Sequence, residues 1–275
     1  MESGLYVVAT PIGNLGDMVP RAVEILQSVD IIAAEDTRHS GILLQHFGIT
    51  TPTFAYHDHS GEASIRRIAK CIEGGGSVAL ISDAGTPLIS DPGYRLLRYA
   101  HKQGWKVVPI PGASAVVAAL SVAGLATDRF RFEGFLPAKR AARCSRLQEL
   151  AQEPVTLVFY EAPHRLLESL IDLRDIMGGD RLVVVARELT KTFETLLRAP
   201  LSELVERVAA DPNQCRGEIV VLVEAGVKRD GEMSAEMEQL LLLLAQELPP
   251  KKAAAVVAKA FGLRKKELYQ YLVNR

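Results

Sequence analysis

Short runs of branched apolar residues punctuate the chain at residues 5–9, 31–34, 78–81, 107–110, 155–160, 182–186 and 219–223. They lack the alternation of a half-exposed strand, so the pattern predicts strands covered on both faces. Between most of them, apolar residues recur at helical spacing. This predicts helices over about 19–28, 64–73, 94–103, 114–123, 140–151, 163–177 and 202–209. Such alternation predicts an α/β chain with largely parallel sheets. The stretch 112–126, rich in Ala, Ser, Gly and Val, reads as a tightly packed helix between two lobes. The expected organisation is an N-terminal α/β domain over 1–115, a second α/β domain over 116–226 and a basic helical extension over 227–275. Within the extension, a helical stretch around Leu240 and Leu244 is broken by Pro249-Pro250. Two short helices, 251–261 and 264–273, follow about Gly262, an order that resembles a helix-turn-helix unit.

The segments that follow the strands carry the candidate chemistry. They read Thr10-Pro11-Ile12-Gly13-Asn14-Leu15-Gly16-Asp17, Glu35-Asp36-Thr37-Arg38, Ser82-Asp83-Ala84-Gly85-Thr86-Pro87 and Pro111-Gly112-Ala113-Ser114. Two more follow in the second half, Glu161-Ala162-Pro163-His164-Arg165 and Arg187-Glu188-Leu189-Thr190-Lys191. In parallel α/β sheets, ligands bind outside the carboxyl ends of the strands. One such loop is ordinary turn chemistry, but six in succession on one expected edge point to a site. Asp83 can cap the next turn or accept hydrogen bonds from a ligand. Gly85 permits close backbone approach, and Thr86-Pro87 fixes the turn. Asp91 is expected as a helix N-cap with Pro92 at the first helical position. After Pro111-Gly112, Ser114 can present its hydroxyl and amide at a helix start, where anions are favoured.

Composition removes several classes. The 275 residues are 48% hydrophobic and 24% charged with a net charge of −1, and mean hydropathy is +0.11. These are globular values, enough for one large or two moderate domains. No apolar stretch reaches the ~20 residues of a membrane span, and no basic, apolar leader opens the chain. Cys71, Cys144 and Cys215 form no CxxC pair, which argues against a disulfide framework or thiolate zinc site and fits a reducing cytoplasm. There is no GxxxxGK(S/T), no GxGxxG after the first strand, no HExxH and no GxSxG. His57-Asp58-His59 has no third ligand at a recognisable spacing, so it reads as a turn or a polar substrate contact, and no metal is expected.

The near-zero net charge conceals an uneven distribution. Residues 249–275 carry seven basic side chains (Lys251, Lys252, Lys259, Arg264, Lys265, Lys266, Arg275) against Glu267, an excess of six. The first 248 residues are therefore seven negative. A second excess, of five, comes from Arg129, Arg131, Lys139, Arg140, Arg143 and Arg146 against Glu133. Either cluster alone reads as a solvated face. Two together in an acidic body point to a polyanionic partner.

Taken in order, the loops resemble the ribosomal RNA small subunit methyltransferase I group of the tetrapyrrole-methylase-like superfamily. The resemblance is carried by Leu5-Tyr6-Val7-Val8-Ala9-Thr10-Pro11-Ile12-Gly13-Asn14, Ala34-Glu35-Asp36-Thr37-Arg38 and Ser82-Asp83-Ala84-Gly85-Thr86-Pro87-Leu88-Ile89-Ser90-Asp91-Pro92-Gly93. It continues through Pro111-Gly112-Ala113-Ser114-Ala115, Phe159-Tyr160-Glu161-Ala162-Pro163-His164-Arg165 and Arg187-Glu188-Leu189-Thr190-Lys191. The resemblance implies two α/β domains with the cofactor in the cleft between them, a small C-terminal helical extension, and a homodimer. The implied reaction is S-adenosylmethionine-dependent 2′-O-methylation of a decoding-region cytidine, cytidine 1402 in small-subunit numbering. The implied substrate is 16S rRNA in the assembled small ribosomal subunit, in the cytoplasm. The implied cofactor pocket comprises Thr10, Asp83, Gly85, Thr86, Ser114, Ala115 and Tyr160. Porphyrin-modifying relatives have a GxGPGDxxLLT-like first loop; the form found here, Ala9 to Asp17, counts against a tetrapyrrole substrate.

Attack of a ribose oxygen on a sulfonium methyl needs alignment and proton removal, with the electrophile supplied by the cofactor. Glu35, Asp36, Glu161 and Glu188 are candidates for the proton. Arg38, His164, Arg165 and Lys191 are candidates for steering phosphate or polarising the hydroxyl. The competing reading makes these same residues ion pairs that hold the loops. Two rival functions share the pattern: a tetrapyrrole C-methyltransferase, and a non-catalytic nucleic-acid-binding protein acting through its basic tail.

Overall fold

The computed structural model describes residues 1–57, 61–226 and 235–274. The chain divides into two compact units, Met1–Gly226 and Val227–Arg275. In the first unit, β1 (Gly4–Val8), β2 (Ile31–Ala34), β3 (Thr53–Ala55), β4 (Ser77–Ile81) and β5 (Val107–Ile110) form one parallel sheet in the order β3-β2-β4-β1-β5. The continuous apolar runs follow from this geometry, because successive residues enter different cores. Val78 and Leu80 of β4 join Leu5 and Ala33 on one face, under α3 (Gly61–Glu73) and α4 (Tyr94–Lys102). Ala79 and Ile81 join Tyr6, Val8, Ile32 and Ala34 on the other, under α1 (Pro20–Ser28) and α2 (Thr37–His46).

The second sheet holds β6 (Phe130–Phe135), β7 (Thr156–Glu161), β8 (Leu182–Arg187), β9 (Thr195–Pro200) and β10 (Ile219–Val223), in the order β6-β7-β10-β8-β9. The expectation of largely parallel sheets fails here. Only β6 and β7 pair in parallel, and β10 runs antiparallel to both of its neighbours. Strands β7 and β8 thus point the same way, and β10 begins at the edge where they end. On one face α5 (Ala115–Ala123) buries Val116, Ala119, Leu120 and Ala123 against Val158, Val184 and Leu222. On the other lie α6 (Arg140–Leu150), α7 (Leu166–Met177) and α8 (Leu201–Ala210).

Helix α2 and the edge strands β3, β6 and β9 are additions to the sequence expectation. Asp36 starts α2 by accepting the Arg38 amide at 2.8 Å. The basic cluster at 129–146 is also corrected. Arg143 is buried and, with Arg140, pairs with Asp172 from α7; Arg131 pairs with Glu133 and Glu153; Arg146 pairs with Glu133 and Glu149. Folding therefore brings most of this positive charge to acids, most of them outside the segment, although Arg129, Lys139 and Arg140 stay exposed.

In the second unit, α9 (Ala235–Glu247), α10 (Pro250–Phe261) and α11 (Lys265–Val273) enclose Leu241, Ala253, Ala254, Val257 and Leu268. Gly262 ends α10 at φ +69°, a left-handed C-cap that turns the chain into α11. Asp58 and His59 of the His-Asp-His cluster, and Arg275 of the tail, lie outside the described residues. Among the described residues no helix is long and apolar enough to cross a membrane, and no group of His, Cys, Asp and Glu is arranged to hold a metal ion.

Candidate active site

Strand direction gathers the loops. The ends of β1, β2, β4 and β5 from one sheet, and of β6, β7, β8 and the start of β10 from the other, border a cleft of about 460 Å³. Of the residues implied as the cofactor pocket, Asp83, Gly85, Thr86, Ser114, Ala115 and Tyr160 line it. Thr10 stands behind them. Its amide donates to the Gly85 carbonyl at 2.8 Å and its carbonyl accepts from the Gly85 amide at 3.1 Å, pinning the β1 and β4 loops together. Its hydroxyl is buried without a hydrogen-bond partner. Thr86 Oγ1 donates to the Ala113 carbonyl at 3.0 Å, so the β4 and β5 loops are joined as well. Ser114 is the N-cap of α5 but makes no cap bond through its hydroxyl.

The eight residues considered for proton handling and steering separate into two groups. Glu35 and Glu161 line the cleft. Glu35 accepts the Asp83 amide at 3.3 Å, while Asp83 accepts the Asp36 amide at 3.0 Å, a reciprocal brace between β2 and β4. Glu161 is buried and accepts from the Ala162 amide at 2.8 Å, Ser169 Oγ at 2.5 Å and Arg165 at 3.2 Å. Arg165 also donates to the Leu136 carbonyl at 2.6 Å. Asp36, Arg38, His164, Arg165, Glu188 and Lys191 are not among the lining residues. Asp36 pairs with Arg38, whose side-chain and backbone hydrogen bonds, with a smaller contribution from its charge, hold the Asp36 carboxyl well below the usual range. Lys191 pairs with Glu188 at 2.9 Å and Glu218 at 3.3 Å, and its aliphatic stem crosses Gly13 so closely that a Cβ there would overlap it.

The sequence reading did not place Asp91, Phe135, Gly217 and Glu218 in the lining. Asp91 is not an N-cap. Helix α4 begins at Tyr94 behind Gly93, whose φ of +138° takes the chain away from the expected Asp-Pro start. Asp91 instead faces the cleft, where burial, helped by the charges of Glu35 and Asp83 and opposed by a Ser82 hydrogen bond, pushes its carboxyl up to about 6. Leu88 and Ser90, at φ +74° and +68°, hold this loop in the left-handed region that side chains disfavour. Burial raises the Tyr160 hydroxyl to about 12, so it faces the cleft as a neutral donor.

Glu35, Asp83, Asp91, Glu161 and Glu218 supply the charge of the lining, which contains no lysine or arginine; Ile12, Ile89, Leu189 and Val220 supply apolar surface. Such a cleft suits a cationic, partly apolar ligand and repels phosphate.

Residues 4–205 match the model for tetrapyrrole (corrin/porphyrin) methylases, and 231–275 match the RsmI C-terminal HTH domain. Ribosomal RNA small subunit methyltransferase I of Pseudomonas aeruginosa is 59% identical over 100% of this chain and 99% of its own length. The chain belongs to this family. The protein of the same name from Escherichia coli O157:H7 is 51% identical over 100% of this chain and 96% of that one. Among solved structures, the methyltransferase CobJ superposes with a TM-score of 0.60 at 19% identity, covering 81% of this chain and 94% of that one. Cobalt precorrin-4 methyltransferase superposes with a TM-score of 0.59 at 17% identity, covering 80% of this chain and 94% of the other. At these identities the structural likeness establishes the fold alone.

Proposed function

We propose that this protein transfers a methyl group from S-adenosylmethionine to the 2′-hydroxyl of a decoding-region cytidine, cytidine 1402, in small-subunit rRNA. The observation that carries the reading is the acid-walled, phosphate-repelling cleft, in a chain whose relatives named ribosomal RNA small subunit methyltransferase I match it end to end. When bound, the cofactor supplies a methyl group on a positively charged sulfur, so no metal or protein nucleophile is needed. The residues fit such a group. Asp83, Asp91 and Glu218 offer negative charge to its ammonium and sulfonium, and the Ser114 and Ala115 end of α5 offers a helix N-terminus to its carboxylate. The Tyr160 hydroxyl offers a polar contact, with Ile12, Ile89 and Val220 as apolar walls.

Ion pairs and buried hydrogen bonds tie Asp36, Glu161 and Glu188 to the loops. Among the four carboxylates considered, Glu35 and Glu161 stand on the cleft wall, each braced by hydrogen bonds, and are the candidates to take the ribose proton. The basic C-terminal unit is the natural holder of RNA backbone, since the cleft repels it. The chain is further proposed to act as a cytoplasmic homodimer on the assembled small subunit, with the 1–115 and 116–226 divisions as its two α/β domains. The test is transfer of labelled methyl from S-adenosylmethionine to small subunits carrying unmethylated rRNA, with a uroporphyrinogen-type macrocycle as competitor substrate. Labelled rRNA and an unlabelled macrocycle are expected. The reverse would assign the cleft to a tetrapyrrole.

A further inference from the structure

The most exposed aromatic ring of the cleft sits where strand geometry alone would not put it. Strand β6 pairs Phe130, Arg131 and Phe132 with Thr156, Leu157 and Val158, then slips, so that Phe135 faces Tyr160. Without the slip Gly134 would oppose Tyr160, and Phe135 would point to the opposite face of the sheet. The extra residue is accommodated at Gly134, in the left-handed region at φ +66°. A bulge of this kind costs ladder bonds and re-aims a side chain. Here it turns Phe135 onto the face shared by Phe132 and Tyr160. Both meet Tyr160 edge-on, Phe132 at a centroid distance of 4.9 Å and Phe135 at 5.6 Å.

Phe132 is largely covered by this packing, but Phe135 remains 55% exposed while lining the cleft. The bulge also packs against the strained loop of the facing sheet, with Ser90 Oγ only 3.3 Å from where a Gly134 Cβ would stand. The ring thus sits at the meeting point of the two loop sets that form the opening. A large apolar ring held half in solvent there adds little to the core. What it offers is a flat π surface beside a cleft without positive charge, where a nucleotide entering for chemistry must be gripped by its base.

We propose that Phe135 is the stacking platform for the base of the target nucleotide, positioning its ribose at the cofactor. The inference rests on the rRNA reading above. Base–aromatic stacking is the usual grip on an unpaired or flipped nucleotide.

The test compares Phe135→Ala, Phe135→Leu and Phe135→Trp in the full-length chain, on small subunits carrying unmethylated rRNA. Binding of S-adenosylmethionine alone is measured in parallel by calorimetry. Phe135→Ala and Phe135→Leu should each lower kcat/KM for the subunit about tenfold or more, the loss expected of one aromatic stack. Phe135→Trp should restore it, and cofactor affinity should stay within about twofold in all three. The Trp variant should also show fluorescence quenching on subunit binding that the parent, with Trp105 alone, lacks. Full activity in Phe135→Leu would overturn the proposal by making bulk sufficient. A parallel loss of cofactor affinity would overturn it by making Phe135 part of the cofactor wall. If the parent protein itself leaves the RNA unlabelled, it is the functional reading that fails, whatever the variants do.

Discussion

Asp172 accepts Arg143 Nε at 2.8 Å and Arg140 Nε at 2.9 Å, and the side chains of Asp172 and Arg143 are 2% and 1% exposed. Removing one partner of a buried ion pair leaves the other charge uncompensated, at a cost of about 3–5 kcal/mol. Asp172→Ala should lower unfolding stability by about that much in urea; a change below 1 kcal/mol would show that Glu168, 3.6 Å from Arg143, replaces the lost partner. The same pairs explain why the arginines misled the reading of charge: their acids lie on other elements, beyond any local count. Asp91 behaves differently. Its carboxyl is raised to about 6, so the folded protein holds the proton more tightly than the unfolded chain. This contribution to stability is present at acid pH and is lost as pH climbs from about 4 to about 6. A cation bound beside it favours the charged form and lowers the pKa again, so binding must release protons. Affinity for S-adenosylmethionine should therefore rise with pH between about 5 and 7 and flatten in Asp91→Asn. Calorimetry in buffers of different ionisation enthalpy measures the released proton; a pH-independent affinity in the parent would remove Asp91 from the cofactor wall.

At the scale of elements, legibility followed burial. Strands β1, β2, β4, β5, β7, β8 and β10 are legible because helices cover both of their faces and leave unbroken apolar runs. The edge strands β3, β6 and β9 are short or interspersed with Arg, Glu and Gly, and their signal falls to that of a loop. Helix α2 buries only Ser40 and Leu44, too thin a stripe to register as helical periodicity. For the site, the loops after parallel strands were legible, whereas Gly217 and Glu218 were not. They precede a strand, and only the antiparallel course of β10 brings them to the same edge. Asp91 was misread because Asp-Pro is a helix-start signature, overridden here by the backbone at Gly93. The Gly134 bulge admits a direct test. A Cβ at φ +66° costs about 1–2 kcal/mol, so Gly134→Ala should lower the urea midpoint accordingly. An unchanged midpoint would mean that the slip in β6 tolerates an ordinary backbone.

For the whole molecule, fold class and family were legible in the order of the loops, while composition alone named neither. The net charge of −1 hid an acidic body and a basic terminal segment. Folding sharpened that division by neutralising most of the 129–146 cluster and leaving Lys251, Lys252, Lys259, Arg264, Lys265 and Lys266 exposed on the terminal unit. Of these, Arg264 pairs with Glu267 at 2.9 Å. Neutral replacement of Lys251, Lys252, Lys265 and Lys266 should weaken rRNA binding and reduce the slope of log affinity against log salt by about 3, while sparing S-adenosylmethionine affinity. An unchanged slope would assign these residues to a solvated face. The central claim is that the acid-walled cleft directs a methyl group to a ribose oxygen of small-subunit RNA. Its most direct test is to incubate small subunits from cells lacking this protein with the purified protein and methyl-labelled S-adenosylmethionine, digest the RNA, and identify the labelled nucleoside. The expected product is 2′-O-methylcytidine at a single position; label on a base, or on no RNA at all, would contradict it.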